Sequence, residues 1–165
     1  MSADSDANAE GVDFALVAYR EEGAWQVAEI PHDRLGDLDE VASELRRYPG
    51  DFGSLGLISI DEDFFLLVRV AGSDVRFLLS DITAASEWPI ARDVVEELEL
   101  PMPDDDDEPV PAGDLGIVSD LGMGAMDMGA LLDDLEAYPD ELLADIASRI
   151  GFGQQYDDLV GAPAQ

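Results

Sequence analysis

The chain has no cysteine, no lysine and a single histidine among its 165 residues. Each shortage removes a class of chemistry. Without cysteine there are no disulfides, thiolate zinc sites, iron–sulfur clusters or cysteine nucleophiles. Without lysine there is no Walker A lysine, no Schiff base and no lysine general base. A lone histidine excludes the H-E-x-x-H zinc pattern. His32 follows Pro31 and reads as a loop residue rather than a catalytic base. Long apolar runs are also missing, since none approaches the roughly 18 residues that a bilayer-spanning helix needs. The first ten residues are polar and acidic, without the basic-then-apolar order of a secretory signal. A cytoplasmic protein is the expectation.

What is present is charge of one sign. Thirty-nine acidic residues against eight arginines give a formal net charge of −31. A polyanion gains nothing from phosphate counterion release, so direct binding to nucleic acid is disfavoured. Anionic membranes repel it as well. Basic protein surfaces are the favoured partners, although acidity also serves plain solubility. Apolar residues make up 47% of the chain, enough for a real core despite the charge. The charge is unevenly spread. Residues 1–100 hold 23 acidic groups and 7 Arg, whereas residues 101–165 hold 16 acidic groups and 1 Arg.

The pattern along the chain predicts an α+β fold. Residues 1–10 lack periodicity and are expected to be a disordered tail. Val12 to Tyr19 and Ala24 to Ile30 read as a hairpin turning at Gly23. Asp37 and Glu40 form a capping-box pattern for a helix with Leu38, Val41, Ala42 and Leu45 on one face. Leu55 to Ile60, Phe64 to Val70 and Val75 to Leu79 read as a meander, with an acidic turn at Asp61-Glu62-Asp63 and a second turn at Gly72-Ser73. Ser80 or Asp81 caps a helical stretch through Ala84 and Ala85, and Ala91 to Leu98 continues helical after Pro89. This gives a domain over 11–100 with a five-stranded, mostly antiparallel sheet and two helical segments.

Residues 101–113 (PMPDDDDEPVPAG) have too little apolar surface to offset ordering entropy and read as an acidic, Pro-rich linker. Residues 114–160 then form a small all-helical C-terminal unit. Asp114 to Leu121 is short. Asp127 to Ala137 carries a stripe of Met128, Leu131, Leu132 and Leu135. Pro139 opens a helix with Leu142, Leu143, Ile146 and Ile150 inward and Gly151 as its C-cap, and Gln154 to Val160 adds a turn or two. At about 50 residues the unit is marginal alone and is expected to pack on the sheet or on a partner.

No catalytic, cofactor or metal site emerges. Gly50-Asp51-Phe52-Gly53 and Gly122-Met123-Gly124 do not match a phosphate-binding spacing. Asp104, Asp105, Asp106, Asp107 and Glu108 lack the alternate-ligand pattern and the glycine of an EF-hand and read as a solvated run. Trp25, Trp88 and the methionines Met123, Met126 and Met128 read chiefly as packing residues. The residues assigned to partner binding are the acids of the dense C-terminal third: Asp104, Asp105, Asp106, Asp107, Glu108, Asp133 and Asp134.

Two stretches carry a family resemblance. The first is Phe64-Phe65-Leu66-Leu67-Val68-Arg69-Val70 with Val75-Arg76-Phe77-Leu78-Leu79-Ser80-Asp81 and Ala84-Ala85. The second is Ala112-Gly113-Asp114-Leu115-Gly116-Ile117-Val118-Ser119-Asp120-Leu121-Gly122, followed by Tyr138-Pro139 and Ile146-Ala147-Ser148-Arg149-Ile150-Gly151-Phe152. Their order resembles the actinobacterial tRNA adenosine deaminase-associated proteins, which share an R-V-F-L-S-D strand end, an acidic linker and a G-D-L-x-x-x-x-D-L-G helical tail. The chain departs from them in its Val75-Arg76-Phe77 order and in a Met/Gly insertion at 122–129. The resemblance implies association with the deaminase that makes wobble inosine, whose gene is the usual neighbour, and supplies no active-site residues. It fits a chain without the His/Cys zinc ligands and P-C-x-x-C pair of that chemistry. The expectation is a non-catalytic accessory protein that binds the deaminase or another basic protein. An independent acidic binding or regulatory protein is the alternative.

Overall fold

A computed structural model describes residues 12–31, 35, 38–48, 53–72, 74–104, 108, 110–133 and 138–160. The expected disordered tail, His32 and the Asp37 cap lie outside these residues. Strands β1 (Val12–Glu21) and β2 (Ala24–Glu29) pair antiparallel with Glu21 opposite Ala24. That register leaves a two-residue turn, Glu22-Gly23, with positive φ at both positions (53° and 82°). Such a turn matches the twist of the strands it joins. Strands β3 (Ser54–Ile60), β4 (Phe64–Ala71) and β5 (Asp74–Leu79) continue as the antiparallel meander read from the sequence.

The sheet has six strands among the described residues, not five, in the order β2-β1-β3-β4-β5-β6. The added strand β6 is only Ala112–Gly113, at the end of the segment expected to be linker. Gly113 and Ala112 lie opposite Leu78 and Leu79, and the Asp114 amide donates to the Phe77 carbonyl at 2.9 Å. Two residues carry too little pattern to announce a strand; the free edge of β5 recruits them. All the strand pairs are antiparallel.

Both faces of the sheet are covered. On one lie α1 (Leu38–Leu45), a 3-10 turn (Ile82–Ser86) and α2 (Pro89–Glu97), packed on Val17, Ile58, Leu66, Val68 and Leu79. The Asp81 side chain caps the 3-10 turn by accepting from the Thr83 amide at 2.8 Å. Pro89 opens α2 from an extended Trp88, where its missing N–H costs nothing. On the other face lie α3 (Ala125–Leu132), α4 (Pro139–Ile150) and α5 (Gly153–Val160), with Met128, Leu143, Ile146, Phe152 and Tyr156 packed on Leu16, Leu57, Phe65 and Leu67. Strand β3 is therefore buried at every residue, and so is β4 from Phe64 to Val70. This is why both read as nearly continuous apolar runs without polar alternation.

Helix α3 starts two residues before the expected Asp127, because Gly124 is extended and ends the preceding loop. The short helical stretch expected over 114–121 is mostly turn, with a 3-10 segment at Ser119–Leu121. Gly151 ends α4 at a φ of 126°, as its C-cap position requires. The Tyr156 hydroxyl then donates to the Asp140 carbonyl at 2.8 Å and ties α5 to α4, and burial raises its pKa. The acidic segment after α2 is thus a crossover. It leaves the helical layer on one face, pairs along the β5 edge and delivers the chain to the opposite face.

Candidate partner-binding surface

Five of the described arginines, Arg47, Arg69, Arg76, Arg92 and Arg149, engage groups of their own chain. Arg69 stands in the middle of β4, 3% exposed, on the face covered by α3–α5. Its register partner on β5 is Arg76, so two like charges sit directly across the ladder. Such a pair destabilises a sheet unless it is neutralised. Both neutralising carboxylates come from the stretch after β6. Arg69 makes a two-pronged ion pair with Asp120, with Nη2 donating to Oδ2 at 2.8 Å, and its Nη1 also donates to the Ile117 carbonyl at 2.9 Å. Arg76 Nη1 donates to Asp114 Oδ2 at 3.3 Å, while Asp114 Oδ1 accepts from the Gly116 amide at 2.9 Å. The Arg69 hydrogen bond holds the Asp120 carboxyl below the ordinary aspartate value, more than partial desolvation raises it. The two motif stretches of the sequence are thus joined, arginines in one and aspartates in the other.

Arg47, in the turn after α1, pairs with Glu44 at 3.3 Å, and Arg149 pairs with Asp145 on α4 at 3.1 Å. Arg92 Nε donates to the Ala85 carbonyl at 3.3 Å.

Among the residues assigned to partner binding, Asp104 and Glu108 are exposed on the crossover and Asp133 is exposed at the end of α3. Asp105, Asp106, Asp107 and Asp134 lie outside the described residues. The crossover also exposes Leu100, Met102 and Val110, so its surface mixes acid with apolar groups. A groove of about 370 Å³ opens between α1 and α2, lined by Leu38, Asp39, Asp93, Glu96 and Glu97. Sequence reasoning passed over these four carboxylates. Their signal was the spacing of Asp93, Glu96 and Glu97 at i, i+3 and i+4, which places them on one helix face. Arg69 was missed as well; a single charge inside an otherwise apolar strand marks a buried partner.

The acidic turn between β3 and β4 is strained and supported. Asp61 and Glu62 both have positive φ (55° and 48°). The Asp13 carboxylate accepts from the Glu62 amide at 2.7 Å and from the Ser59 hydroxyl at 3.0 Å. Asp63 is exposed as a residue, yet partial burial of its carboxyl raises its pKa, and repulsion from Asp81, Asp61 and Glu87 adds to this. Among the described residues no group of three or more His, Cys, Asp or Glu is placed to hold a metal ion. No helix among them is long and apolar enough to cross a membrane. Met123 and Met128 are buried, whereas Met126 is 90% exposed. Trp25 and Trp88 are half-buried against Phe152 and Phe64.

Residues 13–153 match a family described as Rv3753c-like tRNA adenosine deaminase-associated protein. "Protein Rv3753c" of Mycobacterium tuberculosis (strain ATCC 25618 / H37Rv) is 37% identical over 150 residues, which cover 89% of this chain and 87% of that protein. No solved structure matches the chain.

Proposed function

This chain belongs to the Rv3753c-like tRNA adenosine deaminase-associated protein family, and from that premise we propose that it is a non-catalytic, cytoplasmic accessory protein that docks on the deaminase. The observation that carries the proposal is the division of charge. The arginines described above engage their own chain, while Glu108 and Asp133 are exposed. An enzyme that takes tRNA must offer a basic surface to the phosphates. A protein of net charge −31 is drawn to such a surface and away from the nucleic acid itself. The chemistry stays with the enzyme, because this chain has no cysteine, no lysine and one histidine.

The test is retention of the full chain on immobilised tRNA adenosine deaminase from the same organism. Retention is expected at roughly 20 mM salt and is expected to fall steeply by about 300 mM, as screening shortens the range of the attraction. Changing Asp104, Glu108 and Asp133 together to the amides is expected to weaken retention without altering the thermal midpoint. No retention even at the lower salt would sink the proposal.

A further inference from the structure

The two edges of the sheet are treated differently. At the β5 edge, β6 and the crossover occupy the outward backbone groups near Phe77 to Leu79. Among the described residues no strand pairs with the outer edge of β2. The Ile30 amide donates to the Ala15 carbonyl at 2.8 Å, which fixes the phase of the β1–β2 ladder. Ala28, Gln26 and Ala24 then face β1, and the backbone groups of Trp25, Val27 and Glu29 point outward. The Trp25 carbonyl confirms this phase, since it accepts from Gln155 Nε2 of α5 at 3.2 Å. Among the described residues no hydrogen bond reaches the outward amide or carbonyl of Val27 or Glu29. The strand also lacks the usual guards of an edge: it contains no proline, no lysine and no bulge.

We infer that this open edge, from Val27 to Glu29, is where an extended segment of the partner adds as a further antiparallel or parallel strand. The inference rests on the accessory function proposed above and locates its contact. Charge selects the occupant. Residues 21–29 contain three glutamates and no cation, and Glu21, Glu22 and Glu29 are exposed. A partner strand carrying Arg or Lys is matched to them, whereas a second copy would bring like charges into opposition. Main-chain hydrogen bonds supply the affinity in this mode, and flanking side chains supply the selectivity.

The experiment uses the full chain and the purified deaminase. Val27→Pro removes an outward N–H that makes no ladder bond, and the ring obstructs an incoming strand while an edge tolerates it. With an unchanged circular dichroism spectrum, the variant is expected to bind the deaminase about tenfold or more weakly, the effect of losing one or two hydrogen bonds. A second measurement needs no variant. In the wild-type complex, exchange of the Val27 and Glu29 amides is expected to slow at least about tenfold relative to the free chain. Wild-type binding with both amides unprotected overturns the inference and leaves the accessory function standing. Failure of the wild type to bind overturns both. Concentration-dependent dimerisation of the chain alone, with the same amides protected, overturns the choice of a basic partner.

Discussion

Arg69 is the residue on which the second layer is anchored. A guanidinium in the buried part of a strand needs partners, and Asp120 and the Ile117 carbonyl supply them from the layer that covers it. Replacing Asp120 with Asn leaves that buried cation a weaker acceptor. The expected loss is about 1–2 kcal/mol, kept small because Asp120 is half-exposed and water compensates in part. The sign of its pH dependence follows from the lowered carboxyl pKa. The stabilisation is complete above the ordinary aspartate value of 3.8 and is lost as pH falls through the lower folded-state value. Urea midpoints of wild type and D120N should therefore differ at pH 7 and converge in acid below that ordinary value. A gap that persisted unchanged there would show that the ion pair is not its source. The DLG motif made Asp120 conspicuous in the sequence, but nothing local paired it with an arginine 51 positions earlier.

At the scale of elements, legibility tracked the length of the pattern. The five longer strands were readable because apolar side chains repeat over six to ten residues in each. The stripe Leu38, Val41, Ala42 and Leu45 was readable for the same reason and is buried as expected. Strand β6 was not readable, because it exists only through the edge it meets. Gly113 makes the meeting possible. Its φ is +117°, and a Cβ there would lie 2.2 Å from the Phe77 carbonyl oxygen. Gly113→Ala is expected to cost at least about 2 kcal/mol, combining an unfavourable backbone region with a clash against the strand it pairs with. Amide exchange at Asp114 should rise with it. Gly72→Ala is the control, since its φ is +63° but a Cβ meets open space. It should cost only about 1 kcal/mol, and an equal loss at both positions would deny the close approach any role.

For the whole molecule, a net charge of −31 on 165 residues makes the folded state self-repelling. Raising salt from roughly 10 mM to 200 mM shortens the screening length from about 30 Å to below 10 Å. The thermal midpoint should therefore rise over that range, while association with a basic partner weakens. A midpoint that fell instead would mean that internal ion pairs such as Arg69–Asp120 outweigh the repulsion. The sequence by itself determined the acidity, the missing zinc-deaminase ligands, the hairpin, the meander and the amphipathic helices. These depend on residue type and on periods of two or 3.6, which are local properties. Only the tertiary structure decided that the helices after the crossover cover the second sheet face, and that Arg69 and Arg76 take Asp120 and Asp114. It alone left β2 without an outer partner strand among the described residues, while β6 closed part of the other edge. Those are meetings between residues far apart in the chain, and no periodicity in one segment encodes the position of another.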